Sequence, residues 1–372
     1  MKIKENFGLA YFVLPHLSPI KNKIGLLLSI ILGSSRYKII LKNNTVVTFD
    51  SSKFVIMRSL LGILTYAADY RVISRNEISV SFDLKEYFTL PLANLTYEDE
   101  NFLELLFLGT KYGADFITDD KIPKENYRDK TFLIIRFDGK RILETSTGVR
   151  FYIDSMHVGN TIIETFVKNI HLINSGYDWT DKVVIDVGAE CGDTPLYFAD
   201  KGAKVYAFEP VKTHYDAMMR NIGLNPDLSK KITPINAAIG KDGILKFIES
   251  TNFGGGPGAS FLYDNQDGRG RTTEVLGYSL ESALEKFSMQ NIDLLKMDCK
   301  GCEFFLNEDV LKNVNMVKIE YSIHSDEHKM ENLLKVLENA GFRCIVYRNN
   351  DQNRRANKLS GNIYGTKINK HH

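Results

Sequence analysis

Apolar and polar positions change texture near the middle of this chain. From Lys182 onward, short apolar runs alternate with segments of helical period: KVVIDVG, AKVYAFE, ITPINAAI, DLLKMD, MVKIEYS, FRCIVYR and NIYGTK. Strands buried on both faces read as near-continuous apolar runs, with helical pattern between them where the chain crosses over the sheet. The stretch predicts an α/β domain with a largely parallel sheet. GILKFIES and TEVLGYS interrupt the alternation around a glycine-rich GGGPGAS segment. They are expected to form an edge hairpin, with a mobile flap near a site as the alternative.

The first 150 or so residues predict a mixed α+β region of hairpins and amphipathic helices. The segment 37–49 alternates about a KNN turn, and 54–68 has helical period. EISVSFDL reads as a strand, a helix begins near Glu98 and stops before Gly113, and 141–153 reads as a second hairpin. A further helix is expected from Asn160 as N-cap, with Ile162, Ile163, Phe166, Val167 and Ile170 on one face. Two apolar runs near the start, 7–14 and IGLLLSIIL at 24–32, each follow lysines. Both fall short of the roughly 20 residues needed to span a bilayer. They are predicted to be buried helices, with peripheral membrane contact as a minor alternative. The pattern places an accessory α+β region at 1–130 and a second domain at 131–372, with its core at 181–368.

With 372 residues, 44% of them hydrophobic, the chain can bury substantial cores. Lys plus Arg (47) balances Asp plus Glu (46), so no global field points to nucleic acid. Four cysteines do not make a disulfide framework, and a cytoplasmic location is expected.

Chemistry concentrates in VVIDVGAECGDTPLYF. An apolar strand runs into a loop with Gly188 and Gly192, and Asp193 or Thr194 is placed to cap a helix with Pro195 in its first turn. The glycines are expected to let a ligand approach the backbone. The spacing D-x-G-x-x-x-G-D lacks the middle glycine of a dinucleotide fingerprint, and no P-loop is present. Glu209 follows at the end of the next strand, 21 positions after Gly188, where a carboxylate can accept both ribose hydroxyls. Thr213 and Asp216 then stand at capping-box spacing. Asp186 is a candidate for the amino group of a methionyl tail, directly or through water and backbone.

These motifs, together with FEP at 208–210, INAAIG at 235–240 and LLKMDCKGCE at 294–303, resemble the FkbM-type S-adenosylmethionine-dependent methyltransferases over roughly the last half of the chain. The resemblance implies a class I (Rossmann-like) seven-stranded methyltransferase sheet preceded by a smaller α+β N-terminal domain. It implies S-adenosyl-L-methionine as cofactor and methyl transfer to a hydroxyl oxygen of a sugar, glycan or polyketide-like small molecule. Asp186, Gly188, Glu190, Gly192, Asp193, Thr194, Glu209, Asn236 and Ala237 are the cofactor-binding candidates. The family usually has an acid where this chain has Lys300, so a carboxylate role there is lost, whereas Lys296, Asp298, Gly301 and Glu303 are in place.

Methyl transfer needs alignment and removal of one proton. Asp298, Glu303 and His324 are the proton-acceptor candidates, with Glu320 also at a strand end. CKGC has no second C-x-x-C or paired histidines to complete a zinc site, and small apolar packing is expected instead of a metal. A magnesium site on Asp298 and Glu320 is a side hypothesis. Two rival readings remain: an NAD-dependent oxidoreductase using Glu209 for the ribose, against which the missing fingerprint speaks, and a catalytically inactive methyltransferase-fold binding module, for which Lys300 speaks.

Overall fold

The computed structural model describes residues 2–74, 76–84, 86–117, 130–155, 159–171, 176–250, 259–260, 270–322, 328–348 and 360–368. The chain divides into two compact units, Met1–Lys168 and Asn169–His372.

In the second unit all seven apolar runs form strands. They are β1 (Val183–Val187), β2 (Lys204–Phe208), β3 (Ile232–Ile235), β4 (Ile292–Met297), β5 (Val314–Ser322), β6 (Phe342–Arg348) and β7 (Ser360–Lys367). They hydrogen-bond in the order β3-β2-β1-β4-β5-β7-β6. The first five are parallel, and β7 runs antiparallel to both β5 and β6. This is the class I, Rossmann-like methyltransferase sheet expected from the sequence. Ile185, Val187, Leu295, Met297, Val317 and Ile319 fill its core. After β3 the chain crosses to the other side of β1 to lay down β4, so the order reverses between β1 and β4. Open α/β sheets bind ligands outside the carboxyl ends of the strands at such a reversal.

Helices α1 (Asp193–Asp200) and α2 (Lys212–Gly223) follow β1 and β2. Neither begins as expected. Gly192, at φ +85°, is the N-cap of α1, and neither Asp193 nor Thr194 caps it. Helix α2 begins one residue before Thr213, at Lys212, so Thr213 lies inside the first turn and Asp216 pairs with Lys212 instead of closing a capping box. The expected hairpin forms from Gly243–Ser250 and Gly270–Tyr278, with Gly277 opposite Gly243, but it lies in a separate four-stranded sheet with Ala238–Ile239 and Ala259–Ser260 and not on an edge of the seven-stranded one.

The first unit holds the expected hairpin, Arg36–Ile40 with Val46–Asp50, and the helices Phe54–Tyr66 and Tyr97–Lys111. Its sheets contain strands that the sequence pattern did not reveal. Asp69–Ser74 and Phe88–Pro91 flank Glu77–Ser81, while Asp115–Ile117 and Thr131–Phe137 join Lys140–Thr145 and Arg150–Tyr152. The helix expected from Asn160 is instead one α turn, Gly159–Ile162, continued as a π-helix over Ile163–Val167. Gly159 sits directly on helix Tyr97–Lys111, where an added Cβ would come within 2.5 Å of the Leu105 nitrogen. The segment 131–167 therefore belongs to the first unit, and the division falls after Lys168 where the sequence pattern set it after residue 130.

The two apolar runs near the start form helices Lys2–Val13 and Lys23–Ile31. The expectation that they are buried holds for one face only. Ala10, Val13, Leu26 and Ile30 are buried, while Phe7, Tyr11, Phe12, Ile24, Leu28 and Leu32 face solvent. Among the described residues no helix is long and apolar enough to cross a membrane.

Thr96 and Asp99 close a capping box on helix Tyr97–Lys111, each side chain bonding the other residue's backbone N–H. Replacing Thr96 with alanine is expected to cost about 1 kcal/mol in urea denaturation. An unchanged midpoint would show that the box contributes nothing.

Candidate active site

A cleft lies outside the carboxyl ends of β1 and β4. Of the candidates named from sequence, Gly188, Glu190, Glu209 and Asp298 line it, joined by Val211, His214, Phe247 and Lys300. Phe247 comes from the hairpin Gly243–Ser250 and Gly270–Tyr278.

The cleft is organised by a charged pair beneath it. Asp186 and Lys296 face each other in the parallel register of β1 and β4, with Nζ 2.8 Å from Oδ1 and both side chains buried. Lys296 also donates to the carbonyl of Gly188 at 3.1 Å. Burial pushes Asp186 up to about 6, opposed by Lys296, so the carboxylate is ionised at neutral pH. Burial works against the Lys296 ammonium, yet Asp186 and Asp298 outweigh it and hold the group above the ordinary lysine range. Asp186 is fully enclosed and absent from the cleft wall. This corrects the direct-contact expectation: its carboxylate fixes Lys296, which grips the loop.

The two loop glycines also serve packing within the chain, where the sequence reading had them leaving room for a ligand. A Cβ on Gly188, at φ +84°, would lie 2.2 Å from the carbonyl oxygen of Asp298, and one on Gly192 would meet Met218 at 2.9 Å. Gly188 thus lets the loops after β1 and β4 touch, and the Asp298 N–H donates to the Val187 carbonyl at 2.9 Å beside that contact.

Glu209 ties the loops after β1 and β2 together. Its Oε2 accepts from the Glu190 N–H and its Oε1 from the Val211 N–H, each at 2.9 Å, with His214 Nδ1 3.7 Å from Oε1. Burial, reinforced by Asp193, pushes Glu190 up to about 7. Asn236 is exposed and its amide turns back to the carbonyls of Glu209 and Pro210. Ala237 is buried, and its N–H donates to the Ile235 carbonyl. Asp193 and Thr194 are buried behind the loop, with Thr194 Oγ1 3.2 Å from His171 Nε2. Burial, with Lys318 and Lys296 nearby, holds His171 well below 6.5 and therefore neutral.

Among the proton-acceptor candidates, Asp298 faces the cleft. Burial alone would raise its carboxyl, but Lys296, Lys300 and Lys318 outweigh it and leave the group below the usual carboxylate range. Glu303 is fully buried and does not line the cleft: Oε2 accepts from the Gly301 N–H at 2.6 Å and Oε1 from the Ser322 N–H at 3.0 Å. It holds the loop after β4 against β5, a correction to the expectation of a proton acceptor there. His324 lies outside the described residues. Cys299 and Cys302, expected as apolar packing, are joined as a disulfide: Lys300 at φ +51° and Gly301 at φ +132° turn the backbone so that the two Cα atoms stand 5.5 Å apart. Lys300, His214 and His171 were given no site role from sequence. Lys300 was visible only as a departure from the family pattern, and neither histidine stands in a spacing that marks it.

Residues 186–344 match the family model described as the methyltransferase FkbM domain. The resemblance read from the motifs is thereby shown over these residues. No curated protein matches the chain. Among solved structures, the chain is similar to magnesium protoporphyrin IX methyltransferase (ChlM) from Synechocystis PCC 6803 with bound SAM. That likeness has 9% identity and a TM-score of 0.35, covering 57% of this chain and 82% of that one. Precorrin-6y C5,15-methyltransferase from Geobacter metallireducens aligns at 11% identity and a TM-score of 0.33, covering 57% and 91%. Aeropyrum pernix fibrillarin in complex with natively bound S-adenosyl-L-methionine aligns at 11% and 0.34, covering 81% and 99%.

Replacing Lys296 with methionine leaves Asp186 buried without its cation and is expected to cost about 3–5 kcal/mol in urea denaturation. Glu303 releases its proton near 4.5 in the unfolded chain and at about 7 in the folded one, chiefly because it is buried. Its contribution to stability is therefore complete below pH 4.5 and is lost as pH rises through 7. Denaturation midpoints measured across that window should fall in the natural chain and fall less steeply in Glu303→Gln, with Glu190 and Asp186 supplying the remaining slope.

Proposed function

We propose that the second unit binds S-adenosyl-L-methionine in the cleft and transfers its methyl group to a hydroxyl oxygen of a sugar, glycan or polyketide-like acceptor. The observation that carries this reading is Glu209, a buried carboxylate held by two backbone N–H groups at the wall of a cleft at the β1/β4 reversal. An ionised carboxylate has about four acceptor sites. The two backbone bonds leave capacity for ribose hydroxyls. Gly188 and Glu190 would lie along the same ligand. Bound there, the cofactor supplies an electrophilic methyl group on a sulfonium.

What the chain's own residues contribute is alignment and proton removal. The Lys296–Asp186 pair and Glu303 hold the loops after β1 and β4, so the cleft wall is set before a ligand enters. Asp298 is assigned as the proton acceptor. Three lysines keep it ionised, so it is always in the accepting form, at the cost of weak basicity. Lys300 lines the cleft two residues away and neutralises part of its charge.

Calorimetric titration with S-adenosylhomocysteine should show saturable binding that Glu209→Ala loses. No binding to well-folded natural protein would overturn the cofactor assignment. Asp298→Asn should leave that affinity unchanged and lower kcat by about 10²–10⁴. Tight binding with no turnover on any hydroxyl acceptor would identify a binding module instead.

A further inference from the structure

The first unit carries an apolar surface that the proposed reaction does not use. Helix Lys23–Ile31 is apolar nearly all the way round. Leu26 and Ile30 point into the core, while Ile24 (75% exposed), Leu28 (51%) and, at its carboxyl cap, Leu32 (78%) form a second stripe at i, i+4 and i+8. Helix Lys2–Val13, which packs beside it, repeats the arrangement. Ala10 and Val13 are buried, and Phe7 and Tyr11, four residues apart, are exposed together with Phe12. A helix in water ordinarily shows one apolar face, and a helix apolar on every side has a non-aqueous neighbour on each. Large exposed apolar patches mark contact surfaces.

Charge says which neighbour. The whole chain is nearly neutral, at +1, yet residues 1–49 contain seven Lys or Arg and a single acid, Glu5. Lys21 and Lys23 are exposed at the start of the second helix, immediately before the stripe. Apolar stripes bordered by cations, with Phe and Tyr among the exposed side chains, are the composition of helices that lie in the headgroup region of an anionic bilayer. Length excludes a span. At 1.5 Å per residue the two helices measure about 18 and 14 Å, against a hydrocarbon core of about 30 Å.

We propose that this helical pair is a docking surface for an anionic lipid bilayer, with the Ile24, Leu28 and Leu32 stripe and the Phe7 and Tyr11 side chains entering the interface and the neighbouring lysines meeting lipid phosphates. The proposal is independent of the cofactor assignment.

The test is flotation of the full chain with phosphatidylcholine vesicles containing about 30 mol% phosphatidylglycerol, and with phosphatidylcholine alone. The natural chain should float with the anionic vesicles and largely not with the neutral ones, and salt at about 1 M should weaken binding. Ile24→Gln, Leu28→Gln and Leu32→Gln combined should lower partitioning at least tenfold, and Lys21→Gln with Lys23→Gln should remove the preference for anionic lipid. Unchanged circular dichroism and an unchanged urea midpoint would show that both variants are folded. Failure of the natural chain to float, or equal flotation of the triple variant, overturns the proposal. So does a dimer in sedimentation velocity that the triple variant dissociates without any vesicle binding, which would assign the stripe to a second copy of the chain.

Discussion

Everything at the cleft depends on a lysine and an aspartate placed opposite each other in adjacent parallel strands and buried together. Asp186 and Lys296 meet at 2.8 Å, buried, at the point where the strand order reverses. Burying two charges is costly, and a pair of this kind adds little to net stability compared with apolar packing. What it provides is position. The ammonium reaches beyond its partner to the Gly188 carbonyl and holds the turn that begins the cleft. The same turn admits only glycine, because the Asp298 carbonyl fills the place of a Cβ. Pair and glycine together bring the loops after β1 and β4 into contact.

Electrostatics around that contact is lopsided. Three lysines surround Asp298 and keep it ionised, whereas Glu190 and Glu303 are pushed to about 7 by burial. One cleft therefore holds one carboxylate that stays charged across the neutral range and another, Glu190, that titrates within it, the kind of separation by environment that divides roles among like groups. Lys300 is part of this arrangement. It adds positive charge beside Asp298, and its left-handed backbone helps turn the segment that pairs Cys299 with Cys302.

The alternation of apolar runs and helical segments after Lys182 was enough to identify all seven strands, because a parallel sheet buried on both faces imposes that pattern directly on the sequence. The first unit was harder to read. Its extra strands, such as Asp69–Ser74, have mixed burial and no clean alternation, and Thr131–Phe137 becomes a strand by pairing with Lys140–Thr145 across the Asp138–Gly139 turn. The short helix after Gly159 showed apolar spacing suited to a longer one, but close packing on Leu105 fixed where it starts.

The candidate site divides in the same way. Sequence determined the loop, the carboxylate after the second strand and the presence of Asp298, since each is a residue type at a fixed distance along the chain from a strand end. Tertiary structure decided what each does. Asp186 turns from ligand candidate to partner of Lys296 because a register of two strands 110 residues apart sets them face to face. Glu303 turns from proton acceptor to loop anchor because the Gly301 and Ser322 N–H groups reach both of its oxygens. The outward stripe of the terminal helices likewise emerges only from packing, for a helix apolar on every side carries no sign in its sequence of which face the core will take.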